Sequence, residues 1–122
     1  MQEFNFGSDE VFAGKLRDLV VKGEKTATTG LYREGKVISK VGEPATIMDS
    51  EGKKFCMVKY TKVEVKPFLE VDYEYAVKEG EGDSTIEEWR DSHRDFFRRE
   101  YPDIFNDNSR VVCEEFKVVS VL

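Results

Sequence analysis

The spacing of apolar side chains predicts an amphipathic helix near the start of the chain. Within residues 8–22, one helical face carries Phe12, Leu16, Leu19 and Val20. Ser8 or Asp9 can cap the first free backbone amides, and Gly23 can take the left-handed conformation that ends a helix. Residues 25–29, which follow, are rich in β-branched side chains and favour a short extended segment.

A second, clearer helix is predicted later in the chain. The segment Ser84-Thr85-Ile86-Glu87 matches a capping box, in which Ser84 and Glu87 satisfy each other's free backbone donors, and Tyr101-Pro102 ends the pattern. One face of this helix carries Ile86, Trp89, His93, Phe96 and Phe97. A neighbouring face carries three arginines at four-residue spacing, namely Arg90, Arg94 and Arg98.

The remainder of the chain has a β pattern from residue 36 onward. Strands are predicted at 45–48, 54–65 and 110–122, and a hairpin turn at 49–52. Residues 69–78 are long enough for one or two helical turns. The turn signals between these runs are close together, which is typical of antiparallel strands.

The last strand has an irregular alternation. Val111 and Cys113 share one parity, whereas Phe116 and Val118 share the other, so a β-bulge near residues 114–115 is predicted. The elements together predict an α+β fold. We expect a small curled sheet or β-barrel of mostly antiparallel strands, flanked by two main helices.

Composition narrows the functional classes. The chain has 122 residues, 36% charged and 39% hydrophobic, which fits one globular domain over residues 1–122. The net charge of −6 disfavours non-specific binding to nucleic acid or to an anionic membrane. Cys56 and Cys113 lie in no zinc-binding spacing, and no leader-like or membrane-length apolar run occurs. We expect a cytoplasmic protein with no metal or organic cofactor and no membrane partner.

The segment Gly23-Glu24-Lys25-Thr26-Ala27-Thr28 is the first candidate for chemistry. A lysine beside hydroxyl residues is compatible with a lysine-activated nucleophile, although a bland surface junction has the same composition. In an ideal strand Lys25 and Thr28 point to opposite faces, so a shared site needs a turn or bulge between them.

The acidic loop Glu79-Gly80-Glu81-Gly82-Asp83 is the second candidate. Its carboxylates match no calcium-loop spacing, and a flexible connector explains the composition equally well. A glycine-flanked Glu79 can still project into a cleft as an acid, a base or a hydrogen-bond acceptor.

The aromatic helix is the third candidate. Trp89 and His93 fit core packing, with His93 as a buried and hydrogen-bonded imidazole. Arg90 and Arg94 can either clamp a phosphate or a base, or pair with acidic residues of the same helix.

In order along the chain, several of these motifs resemble the ASCH family of small PUA-like domains. The matching segments are 23–28, 40–43, 58–68, 79–83 and 89–97. The resemblance implies a β-barrel of about six strands with a cleft between the barrel and the helices. It also implies an RNA or modified-nucleoside ligand.

One ASCH branch that this chain resembles hydrolyses 4-acetylcytidine with a lysine, a threonine and a glutamate. Carried over by motif, these residues are Lys25, Thr28 and Glu79. Either Lys25 is a desolvated base, or Glu79 is the base and Lys25 stabilises the oxyanion. Substrate contacts are expected from Thr26, Trp89, Arg90, His93 and Arg94. That branch has an arginine where this chain has Gly30, so Arg90 or Arg94 would replace it. The competing interpretation is an RNA-binding module or a ribonuclease that uses the same cleft.

Overall fold

The computed structural model describes residues 2–4, 10–49 and 51–122. Its helices are α1 (Glu10–Val21), α2 (Tyr73–Lys78) and α3 (Ile86–Glu100), with a short 3-10 helix at Phe68–Glu70. Its strands are β1 (Gln2–Phe4), β2 (Ala27–Leu31), β3 (Pro44–Met48), β4 (Lys54–Pro67) and β5 (Arg110–Val121). None of the helices in the described ranges has the length and apolar composition to cross a membrane.

The strands form one sheet in the order β1-β3-β4-β5-β2. All neighbouring pairs are antiparallel except β1 and β3, which run parallel. The sheet curls into a half-barrel, and the predicted α+β class is confirmed. Over the described residues the short strands β1 and β2 are the edges of the sheet, so the curl covers fewer strands than a closed six-stranded barrel.

Two hydrophobic clusters cover different parts of this sheet. One lies between α1 and the strands β3, β4 and β5, and it contains Leu16, Val20, Ala45, Ile47, Cys56, Val58, Tyr60 and Phe116. The other joins β2 and β5 to α2 and α3, and its members include Ala27, Leu31, Phe68, Trp89, Phe97, Phe105, Val111 and Cys113. The second cluster is the one that borders the candidate site.

The two clusters explain the irregular alternation in β5. Val111 and Cys113 belong to the cluster under α2 and α3, whereas Phe116 and Val118 contact the cluster under α1. Each parity therefore has its own core, and β5 needs no inserted residue at 114–115; its own extra residue is Val119, between the partners of Met57 and Val58. The register does shift at this level of the sheet, but the extra residue is Thr61 of β4, between Tyr60 and Lys62. The bulge predicted at 114–115 is therefore on the neighbouring strand.

The ends of the helices were predicted with unequal success. The predicted caps of α1 at Ser8 or Asp9 lie outside the described residues. Gly23 has φ +81° and ends α1 as expected. The capping box of α3 was predicted one residue too early. Thr85 accepts from the Glu88 amide at 3.2 Å, and the Glu88 carboxylate accepts from the Ser84 amide at 2.6 Å.

Phe68 is the aromatic centre of the second cluster. Its ring centroid lies 5.7 Å from that of Trp89, 6.2 Å from that of Phe97 and 5.4 Å from that of Phe105. Because the rings of α3 pack on Phe68, this residue determines how closely α3 approaches the sheet. The position of Trp89 in the candidate site therefore depends on it.

We expect Phe68→Ala to lower the free energy of unfolding by about 3–5 kcal/mol, because it leaves a cavity among three aromatic rings. The adjacent Leu69 is 43% exposed, and Leu69→Ala should cost less than about 1 kcal/mol. Urea denaturation followed by tryptophan fluorescence measures both. Equal losses in the two variants would contradict the central role of Phe68.

Candidate functional site

A buried carboxylate lies where α2, β2 and α3 meet. Glu79 caps the C-terminal end of α2 and is 1% exposed. Its Oε1 accepts from the Thr29 hydroxyl at 2.5 Å, and its Oε2 accepts from Trp89 Nε1 and from His93 Nε2, both at 2.8 Å. Three donors from two other elements thus compensate the loss of solvation of this side chain.

The hydrogen bonds of His93 determine its protonation state. Its Nδ1 lies 2.9 Å from the backbone oxygen of Trp89, and its Nε2 lies 2.8 Å from the Glu79 carboxylate. A carbonyl and an ionised carboxylate can only accept, so both ring nitrogens carry protons. His93 is therefore an imidazolium, stacked on the Trp89 indole at a centroid distance of 4.0 Å.

The electrostatics of this pair agree with the geometry. Burial alone favours the neutral forms and is the largest single effect on each group, but the nearby charges and hydrogen bonds together outweigh it. Burial lowers the pKa of His93, yet the Glu79 charge and hydrogen bond, the Glu81 charge and the Trp89 carbonyl together raise it above its usual value. Burial raises the pKa of Glu79, yet the His93 and Lys25 charges and the hydrogen bonds from His93 and Thr29 together hold it well below its usual range.

Lys25 supplies the second positive charge. It is 2% exposed, and its Nζ lies 3.4 Å from the backbone oxygen of Glu79 and 3.0 Å from Glu81 Oε2. Burial raises the pKa of Glu81 despite the nearby Lys25 ammonium. Lys25, His93, Glu79 and Glu81 are called the charge cluster below.

A close backbone approach brings the acidic loop to Lys25. Gly80 has φ +69°, and a Cβ at this position would overlap the Glu24 carbonyl oxygen. The Thr26 amide donates to the backbone oxygen of Lys78 at 2.8 Å, and the Thr26 hydroxyl donates to the same oxygen at 3.3 Å. These contacts join the end of α2 to the segment before β2. Thr26 therefore positions the backbone beside Lys25.

The threonine that contacts Glu79 is Thr29, which sequence reasoning missed. Side chains alternate along β2, and Thr29 shares its parity with the buried residues Ala27 and Leu31. Thr28 has the opposite parity and pairs with Glu114 of β5, while its carbonyl accepts from the Tyr75 hydroxyl at 2.7 Å. The sequence did carry a signal for this choice. Ala27 and Leu31 are apolar and share the parity of Thr29, so their face of the strand was the one to expect in the interior.

Tyr75 extends the hydrogen-bond network away from Glu79. Its hydroxyl lies 3.1 Å from Thr29 Oγ1. Burial raises the pKa of this phenol far above its usual value, so the hydroxyl stays protonated. Tyr75 also lines a groove of about 130 Å³ with Lys62, Glu64, Lys66, Asp72, Glu74, Lys78, Cys113 and Glu115. The groove is therefore linked to the charge cluster through Tyr75 and Thr29.

The arginines expected to bind substrate make other contacts. The Arg94 guanidinium pairs with both carboxylate oxygens of Asp107 at 2.9 and 3.2 Å and with Asp91 at 3.0 Å. Arg90 Nη2 donates to the backbone oxygen of Leu69 at 3.0 Å. Trp89 and His93 thus both contact Glu79, whereas Arg90 and Arg94 stabilise the surface of α3. The pairing of Arg94 with Asp91 was the alternative left open by the sequence.

Within the described part of the chain, Glu79, Glu81 and His93 could also hold a metal ion, since one ligand atom from each lies within 4.8 Å of the others. The geometry disfavours this use. Glu79 Oε2 already accepts two hydrogen bonds, and Lys25 supplies a cation to Glu81 at 3.0 Å. A metal would have to displace these contacts. The arrangement is better suited to bind polar groups and to move a proton between a hydroxyl and a carboxylate.

We expect Gly80→Ala to destabilise the protein by at least about 2 kcal/mol, because the new methyl group meets the Glu24 backbone in a left-handed conformation. Gly82→Ala is the matched control. Gly82 has φ +86°, but a Cβ at this position would have no atom within 4 Å, so the variant should lose only about 1 kcal/mol. Thermal denaturation compares the two, and equal losses would show that the close approach is unimportant.

We expect His93→Gln to remove a pH-dependent part of the stability. Gln keeps a donor for Glu79 but carries no charge. Since the folded-state pKa of His93 is raised, its contribution is complete below about pH 6.5 and is lost as the pH rises through the folded value. The difference in unfolding free energy between wild type and His93→Gln should therefore be largest at about pH 6 and shrink as the pH rises through the folded-state pKa. A difference that does not change with pH would contradict an imidazolium.

Comparison with known proteins identifies the family and the fold. The family model of the ASCH domain matches residues 2–120. An ASCH domain from Lactobacillus crispatus JV V101 is similar at 31% identity and a TM-score of 0.84, over 97% of this chain and 80% of that one. A protein from Enterococcus faecalis V583 is similar at 29% identity and a TM-score of 0.82, over 99% of this chain and 81% of that one.

A mutant ASCH protein from Zymomonas mobilis shares the fold at 9% identity and a TM-score of 0.58, over 89% of this chain and 69% of that one. No curated protein matches the chain. The family model covers nearly the whole sequence, and the half-barrel with its flanking helices is the architecture of these relatives. The chain therefore belongs to the ASCH domain family.

Proposed function

We propose that this ASCH domain binds a nucleoside, free or within RNA, at the charge cluster and hydrolyses an acyl group from the exocyclic amine of a cytidine. The observation that carries the proposal is the short hydrogen bond from the Thr29 hydroxyl to Glu79 Oε1, at 2.5 Å. A hydroxyl, a carboxylate and a buried ammonium can serve as the nucleophile, the base and the oxyanion stabiliser of amide hydrolysis through an acyl-enzyme.

In this mechanism the Thr29 oxygen attacks the acyl carbonyl while its proton passes to Glu79. The Lys25 ammonium stabilises the negative charge that develops on the carbonyl oxygen. When the bond between the acyl carbon and the amine nitrogen breaks, Glu79 returns the proton to the leaving amine. Water then cleaves the threonine ester, which releases a carboxylic acid and restores the hydroxyl.

Two residues act by positioning Glu79 rather than by touching substrate. Trp89 and His93 both donate to Oε2, which leaves Oε1 directed at Thr29. Thr28, the nucleophile implied by the family resemblance, lies at the opposite parity of β2, facing Glu114. If Thr29 is the nucleophile, the substrate binds on the face of β2 that carries Glu79. If Thr28 is the nucleophile, the substrate binds on the opposite face, and variants at each position decide between the two.

A second candidate function is recognition of a nucleoside without chemistry. It is favoured by the lowered pKa of Glu79, which makes this carboxylate a weak base, and by the three donors that it already accepts. Phosphate-led binding of long RNA is the less favoured form of recognition. The chain has a net charge of −6, and the Arg94 guanidinium is paired with carboxylates.

We expect the purified protein to release cytidine from 4-acetylcytidine. Thr29→Val removes the nucleophile and keeps the shape, Glu79→Gln removes the proton acceptor, and Lys25→Met removes the ammonium. Each should lower kcat at least about 100-fold. Chromatographic separation of cytidine from its acetylated form measures the rate, and circular dichroism checks that each variant is folded.

Lys22→Met is the control for Lys25, because Lys22 is exposed just after α1 and its variant should retain the wild-type rate. Loss of activity in Thr28→Val with an active Thr29→Val would move the nucleophile to the other face of β2. If the wild type gives no turnover but cytidine or 4-acetylcytidine raises its thermal midpoint, hydrolysis is refuted and recognition without chemistry is the function.

A further inference from the structure

The groove that Tyr75 lines lies between α2 and the part of the sheet formed by β4 and β5, outside the charge cluster. Lys62, Glu64 and Lys66 alternate along β4, so their side chains share one face of the sheet. On that face Lys62 lies opposite Glu115 of β5, and Glu64 lies opposite Cys113. The facing wall is formed by α2 and its N-cap, with Asp72, Glu74, Tyr75 and Lys78.

Two ion pairs place donors and acceptors side by side in this groove. Lys78 Nζ lies 2.9 Å from Glu115 Oε1, and Lys66 Nζ lies 2.6 Å from Glu64 Oε1. In the ion pairs of the described residues, each of these carboxylates uses Oε1, so its Oε2 can accept a hydrogen bond from a ligand. The ammonium of each pair can donate to the same ligand.

These groups favour a neutral ligand that is rich in hydroxyls. Three lysines and four acidic residues line the groove, so an ion of either sign meets groups that repel it as well as groups that attract it. A hydroxyl both donates and accepts, and it can therefore bond to a carboxylate and to the neighbouring ammonium together. A vicinal diol presents two such hydroxyls next to each other.

The volume of the groove limits the size of this ligand. An engineered protein cavity of about 150 Å³ holds one benzene molecule. A groove of about 130 Å³ therefore accommodates one small ring rather than a whole nucleoside. Ribose is a ring of this size that carries a vicinal diol, and acidic side chains bind ribose hydroxyls in dinucleotide sites.

The groove lies next to the residues proposed to carry out the reaction. Glu64 pairs with Cys113 and Cys113 pairs with Thr29 across neighbouring strands, so the three residues form a row on one face of the sheet. The Tyr75 hydroxyl lies 3.1 Å from Thr29 Oγ1. A ligand in the groove is thus separated by a single side chain from the hydroxyl that donates to Glu79.

We propose that this groove is a ribose subsite, in which the two ion pairs bind the vicinal hydroxyls of a ribonucleoside. The inference deepens the proposed function and rests on it for the identity of the base. With the ribose in the groove, the base extends along the row of residues toward Thr29. The subsite thus selects a ribonucleoside over a deoxyribonucleoside and over a free base.

Methyl β-D-ribofuranoside tests the subsite without a base and without turnover. We expect the backbone amide signals of residues 62–66, 72–78 and 113–115 to shift when the ¹⁵N-labelled protein is titrated with this sugar and followed by NMR. Methyl 2-deoxy-β-D-ribofuranoside lacks the diol and should bind at least about 10-fold more weakly.

Glu115→Gln keeps the shape of the side chain and removes its charge, so it should weaken binding of methyl β-D-ribofuranoside about 10-fold. Glu51→Gln is the matched control and should bind like wild type, because Glu51 is exposed in the turn before β4 and does not line the groove. If Glu115→Gln does not fold, Glu64→Gln replaces it, since the Glu64 side chain is 46% exposed.

Cytidine distinguishes a nucleoside site from a site for a free pentose. It should bind at least about 10-fold more tightly than methyl β-D-ribofuranoside, because the base adds contacts. Equal affinities would support the sugar subsite but assign it to a free pentose.

Two results overturn the inference. One is the absence of shifts at the groove with about 100 mM sugar, and the other is unchanged binding in both Glu115→Gln and Glu64→Gln. If the sugar binds but cytidine is not released from 4-acetylcytidine, the hydrolysis fails and the subsite stands. If cytidine is released but the sugar does not bind, the subsite alone fails.

Discussion

The ionised Glu79 carboxylate in the protein interior is the constraint on which the rest of this site depends. A charge with 1% exposure is stable only if other groups replace the water it has lost. Thr29 of β2 and Trp89 and His93 of α3 provide these groups. One carboxylate at the end of α2 thus sets the distance and orientation of the strand and of the long helix.

His93 links this constraint to the core. Its imidazolium balances Glu79, and its ring stacks on Trp89, which in turn packs on Phe68. The aromatic cluster and the charge cluster are therefore continuous, and a change in packing at Phe68 displaces a hydrogen-bond donor of Glu79. Ionic groups with strongly shifted pKa values are costly to keep buried, and such groups concentrate at functional sites. This is the physical reason to expect a ligand here.

The acidic loop adds a second property, because it places a carboxylate of the chain itself against Lys25. Glu81 Oε2 lies 3.0 Å from Lys25 Nζ, so a ligand that contacts this ammonium competes with Glu81. Family membership determines the fold, but only such details of the site distinguish hydrolysis from recognition within an ASCH domain.

The sequence alone determined the elements whose signals are local. The 3.6-residue period predicted α1 and α3, Gly23 predicted the end of α1, and the glycines at 80 and 82 predicted the acidic loop. Family resemblance added the expectation that Lys25 and Glu79 share a site. The structure places Lys25 Nζ 3.4 Å from the Glu79 backbone oxygen, across 54 residues of sequence, and the shared role stays a prediction. These features depend on neighbouring residues or on recurring motifs, and both can be read from one chain.

Tertiary structure decided the rest. Which face of a strand is buried, and which group a side chain contacts, depend on elements that are distant in the sequence. Thr29, and not the adjacent Thr28, contacts Glu79, because the Thr29 side chain lies on the face of β2 that α3 covers. From the sequence alone, the Arg94 guanidinium could bind either a ligand or a carboxylate. Folding places Asp107 beside it, so the guanidinium pairs with this carboxylate. The protonation of His93 likewise required two acceptors placed by folding, the Trp89 carbonyl and the Glu79 carboxylate.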